Sequence, residues 1–291
     1  RTALFSAAAL LIATATWPMS GRIMLPHAPS QLAIAVFLLG LSRGRLGVAG
    51  LGAGFGILVR PLIAVVPAVA GRYLAWRRGS LRPALLIGAG AGVGLSLLLL
   101  YNNALFGGWS VSGGYSDAFS SRLTDRSTWV HLSTFVELLA SPRHGVFFWT
   151  PVLFLLVPGS RAAWRNTPNW ARASAIAGLL YLFIHAGLNR ASGGLPFNYR
   201  YQLETLTLLL PLLTGAYFAW TCKRQIRIRL FTVALALSVT LQAMTVFGTR
   251  CVEVAGETRC GLWFSVSEQA APTTGLSSPE RRGPGHLAPG P

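Results

Sequence analysis

Long apolar runs separated by short polar turns fill the chain as far as residue 247. The runs are Ala3 to Trp17, Gln31 to Leu41, Leu46 to Tyr73, Pro83 to Leu100, Gly145 to Pro158, Ala171 to Gly187, Leu203 to Thr221 and Leu230 to Phe247. A segment in hydrocarbon must satisfy its own backbone polar groups, which makes each run a helix, and a full crossing takes about 20 residues. The pattern therefore predicts an all-α, polytopic transmembrane helical bundle of about eight or nine membrane segments, some of them short.

Two polar intervals interrupt the runs. The longer, Tyr101 to Pro151, is Gly-rich and holds acids, histidines and arginines; the shorter, Leu188 to Tyr201, carries NRASGGLPFNYRY. Beyond the last run, residues 248–267 form a separate polar segment, and residues 268–291 are a Pro/Gly/Ser-rich tail expected to be disordered.

Charge fixes an expected orientation. The chain is 52% hydrophobic and only 11% charged, with a net charge of +17, and Lys223 is its single lysine. The basic residues fall in small clusters between apolar runs, which is the signature of cytoplasmic loops and argues against nucleic-acid binding. Arg43/Arg45, Arg72 to Arg82, Arg161/Arg165 and Lys223 to Arg229 are thus expected inside. Loops 18–30, 101–144 and 188–201 and the C-terminal tail are expected outside a bacterial plasma membrane, the abundance of Arg, Ala and Gly hinting at a GC-rich bacterial genome. Both ends of Leu46 to Tyr73 then lie inside. A hairpin of two short helices turning at Arg60 and Pro61 fits, because proline lacks an amide donor and disfavours helix in the residue before it. The alternative is one kinked span with Arg60 snorkelling or paired internally. Cys251 and Cys260 flank VEVAGETR in the outer tail, where a disulfide between them can persist; Cys222, at an inner helix end, is expected free.

Candidate chemistry is confined to the outer face. No P-loop, dinucleotide fingerprint, HExxH, CxxC or GxSxG occurs, and no metal-ligand pattern, so neither a metal site nor a cofactor is expected. GLGAGFG (Gly50 to Gly56) and GAGAGVG (Gly88 to Gly94) lie inside apolar runs and read as close helix packing. The remaining candidates are Arg60, Arg143, His144 and Arg200 with His27, since arginine offers a planar fork of donors suited to phosphate. Of the acids, only Asp117 and Glu204 sit near Gly-rich outer motifs at the start of a run. Each could act as a base or pair with an arginine, and the first-turn position of Glu204 favours a structural role.

Five stretches occur in an order that resembles the GT-C-type glycosyltransferases related to the protein O-mannosyltransferase superfamily. They are HAPSQLAIAVFLL (His27 to Leu39), GLGAGFGILVRP (Gly50 to Pro61), YNNALFGGWSVSGGY (Tyr101 to Tyr115), SPRHGVFFWTPVLFLLVPG (Ser141 to Gly159) and SGGLPFNYRYQLETLTLLLPLL (Ser192 to Leu213). The resemblance covers roughly residues 1 to 247 and implies transfer of a sugar from a polyprenyl-phosphate carrier to a protein, lipid or glycan hydroxyl at the outer face. It implies that Arg143 and Arg200 hold phosphate and that His27, Arg60, Tyr115 and Tyr201 line the cavity. The catalytic Asp of that family lies in its first outer loop, whereas Pro18 to Ser30 contains no acid. The chain, which begins at Arg1, is accordingly read as the later part of a longer protein, with the base upstream and Asp117 as a substitute candidate. Two other classes stay open: a transporter or lipid-carrier flippase, for which only Arg60, His185, Glu204 and Gln242 approach mid-membrane, and an inactive or structural membrane protein.

Overall fold

A computed structural model of the chain describes residues 2–21, 26–113, 127–189, 198–222, 224–254 and 257–262, with backbone alone from residue 249 onward. The chain divides into two units, Arg1–Thr249 and Arg250–Pro291. The regular elements described in the first are all helices up to its last position, where a strand begins. In order they form α1 (Thr2–Ala13), α2 (Thr16–Gly21), α3 (His27–Ser42) and α4 (Leu46–Val59), then a 3-10 turn (Pro61–Ala64), α5 (Val65–Arg78) and α6 (Arg82–Phe106). After the loop come α7 (Thr128–Ala140), α8 (Val146–Trp149), a second 3-10 turn (Pro151–Leu156), α9 (Val157–Asn166), α10 (Asn169–Leu188), α11 (Leu203–Thr221) and α12 (Gln225–Phe247).

Glycines set how closely these helices approach. Gly40 of α3 lies against Ala49 of α4, and Gly56 against Ala33, so α3 and α4 run antiparallel. Gly50 and Gly54 of α4 lie against Gly90 and Gly94 of α6 in the same direction, so those two helices run parallel; a Cβ on Gly50 would fall 2.7 Å from the Ile87 carbonyl oxygen. The two Gly-rich stretches are thus each other's packing partner. Gly71 of α5 meets Ala84 of α6 across the short turn between them, so α5 runs opposite to α4. The segment 46–73 is a helical hairpin and not one kinked span. Its break is at Arg60, whose backbone is extended (φ −149°, ψ 107°) ahead of Pro61.

Farther along, the hydroxyls of Ser174 and Thr205 bond the carbonyls of Leu208 and Gly178 at 3.0 and 2.9 Å, tying α10 antiparallel to α11. The direction of each helix then gathers His27, Arg60, Phe106, Leu188, Leu203 and Phe247 at one end of the bundle. The chain reversals at residues 42–46, 78–82, 166–169 and 221–225 are at the other end, and with them every described arginine of the four basic clusters.

Among the described residues, four helices are long and apolar enough to cross a membrane: α6, α10, α11 and α12; α1, α3 and α4 are apolar but shorter. The expected count of eight or nine is therefore not reached on length. Helices α4 and α5, of 14 residues each, rise about 21 Å against hydrocarbon about 30 Å thick. Residues 145–158, expected as one apolar segment, divide instead into α8, a 3-10 turn and the start of α9. Thr150 leaves the helix (φ −138°, ψ 66°) before Pro151, which has no amide to donate.

From Thr249 into the second unit, β1 (Thr249–Val254) and β2 (Glu257–Leu262) pair as a two-stranded sheet, a local departure from the all-α expectation. Cys251 lies on β1 and Cys260 on β2; their side chains, like the tail 268–291, fall outside the described residues. Cys222 is free and exposed.

The parallel α4–α6 contact generates a paired test. Gly90→Val should lower the thermal midpoint of the detergent-solubilised protein, at a cost of about 1–3 kcal/mol or more for overpacking. Gly92→Val on the same helix, where an added Cβ meets nothing within 4 Å, should leave it unchanged. Equal losses would show that the missing Cβ does not set the contact.

Candidate functional site

At the end of the bundle away from the basic clusters, one carboxylate joins three separate stretches of chain. Glu204, the second residue of α11, is fully enclosed. Its Oε1 accepts from Ser30 Oγ at 2.7 Å, from Arg60 Nη1 at 2.7 Å and from His27 Nδ1 at 2.9 Å. His27 and Ser30 occupy the first turn of α3, and Arg60 is placed by the break between α4 and the 3-10 turn. Negative charge at an N-terminal helical turn is favoured by the helix dipole, and Glu204 faces two such turns, its own and that of α3. An arginine only donates, and a ring nitrogen that bonds a carboxylate must donate too. His27 therefore carries a proton on Nδ1, and the 2.9 Å approach of Arg60 Nη1 to that nitrogen is a contact held by the oxygen they share. Glu204 Oε2 is buried with no hydrogen-bond partner among the described residues.

Arg60 extends the cluster to α10. Its Nη2 donates to His185 Nε2 at 3.1 Å, and the other ring nitrogen of His185 lies 2.7 Å from the Asn189 amide. The imidazole stacks on Tyr201 with ring centroids 4.3 Å apart, and Tyr181 meets it edge-on at 5.2 Å. Arg200 also lies against Tyr201, its guanidinium carbon 5.0 Å from the ring centroid and its Nη2 donating to the phenol at 3.2 Å. Two guanidinium groups thus touch one His–Tyr stack, Arg60 through His185 and Arg200 through Tyr201. Arg60 is neutralised by Glu204, whereas Arg200 has no carboxylate among the described residues, and its buried Nε has no acceptor.

The segment that presents Arg200 is pinned on both sides. Asn198 adopts a left-handed backbone (φ 68°), a conformation asparagine tolerates better than most residues. Its amide donates to Gln242 Oε1 at 2.9 Å and Thr245 Oγ1 at 3.2 Å, both on α12, and Gln242 in turn donates to the Trp149 carbonyl at 2.9 Å. The Tyr199 hydroxyl lies 2.6 Å from Thr150 Oγ1 and accepts from the Ala15 amide. Burial pushes that phenol up to about 12, so it stays a neutral hydroxyl across any working pH. Gln202 donates to the carbonyls of Leu138 and His144 at 2.7 and 3.0 Å. Residues 198, 199 and 202 are locked, and Arg200 and Tyr201 between them face the His185 stack.

Of the residues selected from sequence, His27, Arg60, Arg200 and Tyr201 are therefore brought together. His144 and Arg143 are not part of the cluster: His144 is buried with Nδ1 3.1 Å from the Asn198 carbonyl, and Arg143 is exposed, its own carbonyl accepting from Trp149 Nε1 at 2.9 Å. Tyr115 and Asp117 lie outside the described residues. Among the described residues, no group of three or more His, Cys, Asp or Glu could hold a metal ion. Sequence reasoning did not select Ser30, Tyr181 or Asn189 for the site. Ser30 and Asn189 carried a usable signal, each lying three or four residues along a helix from a histidine of the site.

The ion pair is testable by a double-variant cycle. Arg60→Met should destabilise the solubilised protein by about 3–5 kcal/mol, because it strands a buried carboxylate, and Glu204→Gln in the same chain should restore a large part. Strictly additive losses in unfolding midpoints would show that the two are uncoupled. Compared with protein-family models, curated proteins and solved structures, the chain matches none.

Proposed function

We propose that this chain is part of an integral membrane glycosyltransferase that takes a sugar from a polyprenyl-phosphate carrier and transfers it to an acceptor hydroxyl at the outer face of a bacterial plasma membrane. The observation that carries the reading is Arg200. It is a cation at the end of the bundle opposite the basic clusters, pinned by its neighbours, stacked on Tyr201, and without a carboxylate among the described residues. A phosphate supplies the missing anion, and a guanidinium fork suits its oxygens. In this reading the helices cross nine times, with residues 150–166 and the short α4–α5 hairpin among the crossings, and the Arg60 end and the C-terminal tail lie outside.

The roles divide by environment. Glu204 is enclosed and held by three donors, so it fixes Arg60 and His27 and is not the base. Arg200 binds the carrier phosphate and offsets charge on the leaving group, its guanidinium held before the reaction begins. Tyr201 and His185 link the two guanidinium groups, and exposed Arg143 meets phosphate at the entrance. The only other described carboxylate side chain, Glu137, is exposed on α7; of the acids in this chain, Asp117 is the candidate for the base that serves the acceptor hydroxyl.

A transporter or flippase is the second reading, favoured by the joining of Arg60, His185 and Glu204 within the bundle. Their positions weigh against it: His27 and Glu204 start helices, His185 is in the last turn of α10, and Arg60 is at a helix break. Positions at helix ends suit the membrane surface better than the midplane site a transporter needs.

The native gene product in vesicles, supplied with short polyprenyl-phosphate hexoses and pentoses carrying labelled sugar, should release polyprenyl phosphate and label an acceptor. Arg200→Ala should lower the rate by about 10²–10³-fold, the worth of one preorganised donor to developing charge; Arg200→Lys, a point charge without the fork, should recover part of it. Full transfer by Arg200→Ala would remove Arg200 from the site. Carrier translocation without transfer would replace the enzyme by the flippase.

A further inference from the structure

A cavity of about 370 Å³ lies between α1, the second 3-10 turn, α11 and α12, separate from the Glu204 cluster. Leu10, Leu210, Leu213, Tyr217, Phe231 and Leu235 are among the residues of its wall. Its hydroxyls are turned inward to their own partners: Thr214 Oγ1 donates to the Leu210 carbonyl at 2.9 Å and lies 3.0 Å from Ser6 Oγ. What remains is an apolar slot along two membrane-length helices, shaped for an alkyl chain and poor in groups that would hold water.

The two ends of the slot differ in charge. Toward the Arg60 end stand neutral groups, Thr14 and the Thr150 hydroxyl already engaged by Tyr199. Toward the other end, Arg227, Phe231 and Leu235 recur every four residues on α12 and so share one face, with Arg227 one turn beyond the cavity wall. Arg227 is only part-exposed and directed: its Nη1 donates to the Trp220 carbonyl at 2.8 Å, and its guanidinium lies 6.0 Å from the Trp220 ring centroid. Arg224, immediately before α12, is exposed beside it. Arg77 lies over Trp76 and Arg172 over Trp164 in the same manner at this end. No carboxylate among the described side chains lies here, since Glu137 and Glu204 both belong to the opposite end. Arginine stacked on tryptophan at a helix end is suited to the headgroup layer, where the ring is half wet and the cation meets phosphate.

We propose that this slot binds an anionic phospholipid, with one acyl chain along α11 and α12 and the phosphate and anionic headgroup on Arg227 and Arg224. Charge complementarity selects the occupant: a polyprenyl phosphate entering from the Arg60 end would set its phosphate against neutral hydroxyls. The lipid is structural, filling a gap between α1 and the α11–α12 pair, and is independent of sugar transfer.

The test uses the purified full chain, stripped of lipid in detergent and titrated with dioleoylphosphatidylglycerol or dioleoylphosphatidylcholine while the thermal midpoint is read. The glycerol lipid should raise the midpoint saturably, at a concentration at least about fivefold below that of the choline lipid, the worth of one basic residue near an anionic headgroup. Arg224→Gln, a surface change, should erase that preference; Leu213→Trp, which fills the slot, should erase the response to both lipids while helical circular dichroism is kept. Equal response to the two lipids, or the same stabilisation by inorganic phosphate, by RNA or by farnesyl phosphate, would overturn the proposal. So would an unchanged preference in Arg224→Gln, which keeps the test decisive even if Leu213→Trp does not fold.

Discussion

One carboxylate oxygen governs the architecture of this bundle's polar end. Glu204 Oε1 gathers donors from the first turn of α3 and from the α4–α5 break, and Arg60 carries the link on to α10 through His185. Taking a carboxylate out of water costs several kcal/mol, and that cost is recovered only when the geometry supplies strong donors on the oxygen that accepts them. Helix α4 must therefore end at Arg60 and present its guanidinium inward. The backbone complies because Pro61 already removes the next helical amide. The extended residue, the 3-10 turn and the reversal into α5 are all consistent with that single requirement.

Apolar packing and charge pairing have separate tasks along the same helices. Between α4 and α6 no polar group intervenes, and closeness comes from glycine facing glycine, where lipid offers no hydrophobic drive and dispersion must do the joining. Between α10 and α11 two hydroxyls bond opposing carbonyls, which fixes the register of one helix on the other. The α11 register in turn sets the depth of Glu204. A slip of one turn, about 5.4 Å, would carry the carboxylate past all three of its donors, so the register bonds on the α10–α11 face serve the ion cluster several residues away.

Much of the helical pattern was legible in the sequence because hydrocarbon leaves few alternatives. The apolar runs located most of the helices, and Arg60 with Pro61 located the hairpin turn. The Gly-rich stretches were read as packing surfaces, though nothing in them said that they pack on one another. Illegibility begins where a partner depends on which helices are neighbours. Glu204 was recognisable as a structural carboxylate from its first-turn position, but its partner Arg60 is 144 residues away, and adjacency of α4 and α11 is a tertiary fact. Arg143 and His144 stood out by their turn, yet the turn at Gly145 sends His144 inward to the Asn198 carbonyl and leaves Arg143 on the surface. The break at Thr150 was missed because an apolar run conceals a proline that only backbone geometry shows to be decisive.

The asymmetry between the two ends of the bundle reaches from sequence to chemistry. At the basic end arginines are numerous, mostly exposed, and in three places laid over tryptophan. At the other end, among the described residues, Arg143 is exposed, whereas Arg60 and Arg200 have enforced positions, Arg60 through a carboxylate and Arg200 through the locked residues on either side of it. A cation whose position is enforced has already lost its conformational freedom, so an anion that meets it pays less to be ordered there. That difference in preorganisation, more than the number of charges, is the ground for proposing the specific anion site at the Arg60 end and a lipid contact at the basic one.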